Sequence, residues 1–469
     1  MKFRDRFLKT KSSLKHGYTD QTGGKHHLPV PARILFGLFA LISIGTVLLM
    51  LPFMSPGDSL SFREAIFTAI SALTVTGLSI ISAGSDLTLV GQIILLLLIQ
   101  LGGVGYMVIA TLIMRFIGRR VFVLDRLALT NSIGLEKPAE ILHILGHVIR
   151  GIAVIEAVGA VALYIHWRVN DIVPAGRVFF MAVFHSISAF CNAGFDLFGV
   201  PELYPDGPPK DNVTLIILGV IIFLGGLGIP VLSELFAGSH FKRWSLHTRV
   251  TGIVIAGLLL TGWLFTFLAE TSSTGVLLDA GMGQKIVQTW FHSVSSRTAG
   301  FAAFNDFENI TPATQMLTII LMFIGCAPAS MGGGITTGTF AVLWIAVGSY
   351  TRGRETIHVF QRTVSGRTVR KAGSVLTISV GLVVTATFLI ALTHPNADLG
   401  FIFFEVVSAF ATCGLSLGFT GELNNFGLSV IAVMMVWGRL GALTIVSAVL
   451  QAGRTTDAIS YPEESLLIG

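Results

Sequence analysis

Charge is scarce in this chain. Only 12% of its 469 residues are Asp, Glu, Lys or Arg, about half the roughly 25% of an average soluble domain, which excludes an ordinary water-soluble globule. Cysteine is nearly absent. Cys191, Cys326 and Cys413 are odd in number and form no C-x-x-C, which argues against a disulfide framework or a zinc site. No Gly-Lys-Ser/Thr follows the glycine-rich passages, and their flanks are hydrocarbon, so a nucleotide phosphate loop is ruled out. What remains is apolar: 52% hydrophobic residues and a mean hydropathy of +0.77, the composition of an integral membrane protein.

Windows of about 20 residues predict eight spans, near 32–51, 89–114, 145–167, 213–237, 247–269, 313–348, 374–394 and 427–452. The sixth is too long for one simple helix. Residues 1–28 are polar and basic and read as a tail before a retained first span, not as a secretory signal or transit peptide. Eight spans place both termini on one side, and most of the 31 Lys and Arg fall there: Lys2 to Arg33, Arg115 to Arg150, Lys242 to Arg249, Arg352 to Lys371, and Arg454. The positive-inside rule makes that side cytoplasmic, in an inner cell membrane. The opposite side is rich in carboxylates, including Asp58, Asp171, Asp206 and Asp306, and attracts cations.

The hydrocarbon is interrupted four times by short polar passages: SALTVTGLS (71–79), FHSISAFCNAGF (184–195), FHSVSSRTAGF (291–301) and FFEVVSAFATCGLSLG (403–418). Each follows an apolar helical segment of only 10 to 12 residues (61–71, 179–188, 285–295, 400–410), too short to cross a bilayer and suited to a re-entrant half-helix. Gly77, Gly194, Gly300 and Gly414 recur roughly 110 residues apart, which marks an internal repeat. After each comes a second marker: LGGVGYM (101–107), LGGLGIP (224–230), IGCAPASMGGG (324–334) and WGRLGAL (437–443). The expected fold is thus an all-α multi-pass membrane protein. It has four pseudo-fourfold repeats of span, pore helix and span (M1–P–M2) around a central ion pore, with eight spans and four re-entrant pore helices.

The divisions are a basic cytoplasmic tail (1–31), repeat one (32–118), a cytoplasmic loop (119–144), repeat two (145–238), repeat three (245–350), a basic cytoplasmic loop (351–372), repeat four (373–453) and a C-terminal tail (454–469). Four loops at matched offsets can ring a dehydrated cation with neutral backbone oxygens, on an extended chain that glycine permits, with the negative ends of the half-helix dipoles behind them. The residues in that position are Thr74, Val75, Thr76 and Gly77; Cys191, Asn192, Ala193 and Gly194; Thr298, Ala299 and Gly300, preceded by Arg297; and Ala411, Thr412, Cys413 and Gly414. A single such passage would serve helix packing; four together read as a selectivity filter.

Span, pore helix, glycine loop and span in four non-identical copies resemble the Trk/Ktr/HKT superfamily of potassium transporters from about Ala32 onward. SSRTAGF and the terminal YPEESLLIG (461–469) look like signatures of its KtrB membrane-subunit branch. The resemblance implies one filter glycine per repeat, with serine in the first position of sodium-selective plant relatives; glycine at all four positions here implies potassium. It further implies K+ as the transported ion with Na+ as an activator to be considered, no covalent cofactor, and a homodimer. A cytosolic nucleotide-binding regulatory ring of the KtrA type would dock on the basic face, and nucleic acid has no part.

Arg439, within the last span, reads either as a bundle-bracing ion pair or, as the resemblance implies for its G-R-L-G motif, as a fixed positive barrier below the filter. GCAPASMGGGITTGT (325–339) cannot hold a regular helix. It is either a kink or, as the family's intramembrane loop implies, a gate comprising Gly325, Ala329, Ser330, Met331, Gly332, Gly333 and Gly334. His185 and His292 read as structural, because Thr68 and Glu405 replace them in the other copies. His143 and His147 read as surface residues, Glu156 as paired within the bundle, and Arg297 as bracing its loop away from the ion path. The rival functions are a sodium-selective or sodium-coupled transporter of the same architecture and a membrane anchor of an enzyme complex.

Overall fold

The structure is a computed structural model that describes residues 30–105, 141–200, 208–236, 244–354 and 356–441. Most of the N-terminal tail, the loop around Arg115 to Lys137, the ends of the second and last expected spans, and the C-terminal tail lie outside the described residues.

The element order runs long helix, short helix, interrupted helix, four times. The first set is α1 (Val30–Leu49), α2 (Phe62–Thr74) and α3 (Leu89–Val104). The second is α4 (Ile141–Val169), α5 (Val178–Phe190), and α6 (Asn212–Gly226) with α7 (Ile229–Phe236). The third is α8 (Leu246–Glu270), α9 (Met282–Ser295), and α10 (Pro312–Phe323) with α11 (Thr337–Tyr350). The last is α12 (Gly366–Thr393), α13 (Leu399–Ala411) and α14 (Asn425–Leu440).

Local chemistry sets the starts. The side chains of Thr88, Asp211, Thr311 and Asn424 each accept a backbone N–H in the first turn of α3, α6, α10 and α14. That satisfies a donor which has no partner within the helix. Ser61 and Glu64 form a reciprocal capping box on α2.

Between sets, each interrupted helix packs on the short helix of the next: α3 on α5, α6 on α9, α10 on α13, and α14 back on α2. The order closes into a circle. The short helices lie inside it; α13 buries Ile402 and every residue from Phe404 to Ala411. The long helices turn apolar side chains outward, among them Phe39, Val158, Leu264 and Phe388, each more than half exposed. An apolar exterior around a buried polar centre suits a hydrocarbon solvent.

Two expectations need correction. Among the described residues α4, α8 and α12 are long and apolar enough to cross a membrane, and α6 with α7 would make a fourth, bent by 105°. The sequence reading expected a break in the sixth span alone. Instead the third helix of every set stops at the second glycine marker, where Gly105, Gly228 and Gly441 take φ of 88°, 83° and 77°. Those are left-handed values that an L side chain resists, and they end or turn the helix.

The chain is mostly helical but not purely so. Within 351–372 a hairpin pairs β1 (Ile357–Val359) with β2 (Arg362–Val364), antiparallel, across Phe360 and Gln361. Both turn residues have positive φ, as a two-residue turn of this hand requires.

The first glycine of the second marker has a packing role. A Cβ built on Gly102, Gly225 or Gly438 would run into the carbonyl oxygen of Leu73, Phe190 or Phe410, in the last turn of the short helix of the same set. Only a hydrogen fits. Gly438→Ala should therefore destabilise the protein by about 1–3 kcal/mol through overpacking. Gly381→Ala, where a methyl meets nothing within 4 Å, should be neutral or stabilising; melting temperatures in detergent compare the two.

Candidate functional site

Three of the four short helices end in the same way. In α2, α5 and α13 the N–H of Val75, Asn192 and Thr412 returns to the carbonyl of Ala72, Ala189 and Ala409. The next N–H, of Thr76, Ala193 or Cys413, reaches the carbonyl of Ser71, Ser188 or Ser408 at 2.8–2.9 Å. This pair of bonds is the Schellman termination, which requires a left-handed residue just past the helix. Glycine usually fills that place, but here it is Val75 (φ 57°), Asn192 (57°) and Thr412 (49°), with Thr298 (72°) in the third loop. Two residues later the chain is left-handed again, at Gly77, Gly194, Gly300 and Gly414. The backbone is therefore not the extended run expected from sequence; it turns left-handed at alternate residues. β-branched residues held so cost about 1–3 kcal/mol each, and they persist only where the surroundings over-determine them.

The four glycines meet. A Cβ on Gly77 would stand 2.5 Å from the carbonyl oxygen of Ala193, and one on Gly194 2.9 Å from that of Ala299. On Gly300 it would strike the Cys413 carbonyl, and on Gly414 the Thr76 carbonyl. First touches second, second third, third fourth, and fourth first: the loops form a closed ring in which each glycine faces its neighbour's carbonyl.

Side chains around the ring turn into the protein. Cys191 Sγ donates to Gln100 Oε1 at 3.3 Å. The Asn192 amide, oriented to donate, reaches the carbonyls of Ile222 (3.3 Å) and Ala189 (3.1 Å). Thr74 Oγ1 donates to the Ile70 carbonyl and meets Thr76 Oγ1 at 2.8 Å. Val75, Ala193, Ala299, Ala411 and Cys413 are fully buried. On one side the ring opens into a cavity of about 420 Å³ lined by the four glycines, Asp196, Lys210, Asp306 and Glu308.

The sequence reading missed four serines. Ser71 and Ser408 accept the N–H of Gly77 and Gly414 at 3.0 and 3.1 Å. Ser188 and Ser295 donate to the carbonyls of Phe195 and Phe301 at 2.8 and 2.6 Å. Each hydroxyl ties a short helix to its own loop. The signal was present, since every polar passage carries this serine five or six residues before its glycine.

The residues read as structural from sequence do similar work. His185 Nδ1 donates to the Met181 carbonyl, and Nε2 accepts from Leu197 N–H. His292 Nε2 meets Thr318 Oγ1 at 2.9 Å. Glu405 accepts from Ser416 and Thr420, and Glu156 accepts from Gln100 Nε2 at 3.0 Å. His143 and His147 lie outside the described side chains.

At the helix breaks the expected gate residues come together. Residues 324–336 form a loop pinched at its base by Ile324 and Ile335. Its backbone is stitched to the α6–α7 corner by Ala327 N–H to the Gly226 carbonyl (3.1 Å) and Ile229 N–H to the Ala329 carbonyl (3.0 Å). Gly332 presses on Thr298 and Gly333 on Thr412; Gly334 is left-handed at φ 74°. The Ser330 hydroxyl is buried with no partner among the described residues. Arg439 donates to the carbonyls of Met331, Gly102 and Gly103. Its guanidinium thus joins the first, third and fourth helix breaks through carbonyls, not through the carboxylate that a bracing ion pair would need. Arg297 Nη2 donates to the Gly325 carbonyl at 3.1 Å, turned from the ring toward the loop.

A closed ring of neutral backbone oxygens inside an apolar bundle can replace the hydration shell of a small cation. That is the chemistry of a membrane cation transporter, and comparison with known proteins agrees. A family model described as TrkH, cation transport protein, matches residues 38–453. The Ktr system potassium uptake protein B of Vibrio alginolyticus is 35% identical, over 94% of this chain and 95% of that one. The potassium/sodium uptake protein NtpJ of Enterococcus hirae is 33% identical, over 93% and 96%. The crystal structure of the potassium transporter TrkH from Vibrio parahaemolyticus superposes with a TM-score of 0.70 at 20% identity, over 91% of this chain and 86% of that one. The chain belongs to the TrkH family of cation transport proteins, which are transporters and not enzymes.

Losing the Ser71 or Ser408 hydroxyl should leave a partly buried glycine N–H unpaired, at about 1 kcal/mol. Ser408→Ala should lower the melting temperature and slow cation uptake, whereas Ser429→Ala, whose exposed hydroxyl bonds within its own helix, should change neither.

Proposed function

We propose that this chain is the ion-conducting membrane subunit of a potassium uptake system. The observation that carries the reading is the closed ring of four glycine loops. On this reading the four helix sets are M1–P–M2 repeats bounded as the sequence suggests. The short helices are re-entrant pore helices, and the ring residues from Thr74 to Gly77 and their counterparts form the selectivity filter. K+ is favoured by glycine at all four positions and by relatives named for potassium uptake.

The carboxylates of the cavity over the ring gather cations from outside. The membrane potential then drives them inward with about 2.3 kcal/mol per charge for each 100 mV. Below the ring, Arg439 and the loop from Gly325 to Gly334 close the path as a gate: a fixed positive charge repels the ion, and the loop fills the space that interrupted second spans leave. The protein sits in the inner membrane with both termini cytoplasmic and works as a homodimer. A cytosolic nucleotide-binding ring of the KtrA type docks on its basic face, where Arg362 lies in the hairpin and Arg367, Arg370 and Lys371 follow it, and moves the gate. The nucleotide belongs to that partner. One relative is named for potassium and sodium uptake, which supports a second reading in which Na+ also passes or activates.

Isotopic rubidium uptake into proteoliposomes, competed by K+ or Na+, tests the proposal. K+ should compete far better than Na+. Gly77→Ser should erode that preference, while an unchanged preference would favour the sodium reading. Arg439→Ala and deletion of Met331 to Gly334 should each raise uptake without a partner protein; folded variants that stay shut would refute the gate.

A further inference from the structure

The intramembrane loop does more than lie beneath the ring. Cys326 Sγ donates to the Arg297 carbonyl oxygen at 3.0 Å and stands 3.2 Å from Thr298 Oγ1. Gly332 closes on the same hydroxyl, so close that a Cβ there would collide with it. Thr298 is the left-handed residue of the third ring loop, and its hydroxyl is clasped by the loop at two points. The contact is reciprocal, since Arg297 returns a bond to the Gly325 carbonyl. A further left-handed residue leans on the same segment: Thr412, with its hydroxyl against Gly333.

Left-handed β-branched residues relax unless their neighbours hold them. The ring's geometry is therefore maintained from the side on which the loop rests. The Arg297 carbonyl, engaged by the thiol, is also directed to the loop.

We propose that Cys326 is a positioning residue for ion selectivity: its thiol, between the Arg297 carbonyl and the Thr298 hydroxyl, locks the third ring loop to the intramembrane loop. Moving the loop then changes which cation the ring prefers as well as whether the path is open. This rests on the conduction reading above. A loop acting as a plug alone would alter flux and leave preference untouched.

The full chain in proteoliposomes tests this with rubidium uptake competed by K+ and Na+. Cys326→Ala should lower the preference for K+ over Na+ roughly fivefold, about the worth of one hydrogen bond. Cys326→Ser, which keeps a donor, should restore most of it. Thr298→Val keeps the β-branched shape and removes only the hydroxyl. It should reproduce the loss, and it reads the proposal independently if Cys326→Ala fails to fold. Folded Cys326→Ala and Thr298→Val proteins with altered rates but wild-type preference would overturn the inference, as would a Ser variant no better than Ala. Absence of rubidium uptake by both the wild type and the Arg439→Ala protein would instead count against conduction itself.

Discussion

The structure depends on one close approach made four times: a glycine Cα set against the carbonyl of the neighbouring loop. A methyl at any of these positions would overlap a backbone oxygen, so the ring closes only because four residues, roughly a hundred positions apart, all lack a side chain. Everything else serves that approach. The short helices stop where they do because a left-handed residue turns the chain toward the centre, and the serines tether each helix end to its own loop. The second glycine markers let the interrupted helices press against the last turns of the short ones. In an apolar solvent the hydrophobic effect cannot drive helix against helix; close packing and satisfied hydrogen bonds must do so, and small residues are what allow both.

The four sets are alike but not equivalent, and the differences fall where control is expected. In the first, second and fourth sets the marker glycine docks on its own short helix. In the third, Gly325 instead faces Gly333 within the loop, and its carbonyl takes the Arg297 side chain. The loop so released from helix packing reaches the ring loops of its own and the fourth set. Arg439 closes the arrangement from the far side by binding the carbonyls of two other breaks. Carbonyls at a helix end carry the negative end of the dipole, so an arginine there is stabilised by them, with no carboxylate at its guanidinium among the described residues. On the conduction reading proposed above, the same charge is a barrier to a cation arriving from the ring.

Much of this was legible from spacing. The Ser/Thr/Gly passages, the half-length helices before them and the second glycine markers are visible because backbone geometry of this kind demands particular residues. Less visible was that the third helix of every set stops at its glycine marker. The run 89–114 reads as continuous hydrocarbon, and hydropathy is blind to the positive φ of Gly105. Nor was it foreseeable that Val75 and Thr412 would be left-handed, since local preference opposes it. Tertiary packing overrides that preference, and a one-dimensional reading has no access to packing. The Ser71 and Ser408 hydroxyls were in plain sight but looked like part of a polar passage; only the hydrogen bonds to Gly77 and Gly414 separate them from their neighbours.

By itself the sequence determined that the chain is a membrane protein, that it is built on four related passages, and where glycine must stand, because composition and periodicity report solvent and backbone freedom directly. Only the tertiary structure decided that the passages meet in cyclic order and that Arg439 answers to carbonyls. It also decided that Cys326 grips the third loop, because such contacts join residues between 28 and more than 300 positions apart. Their energy arises from closeness in space, which no local pattern along the chain encodes.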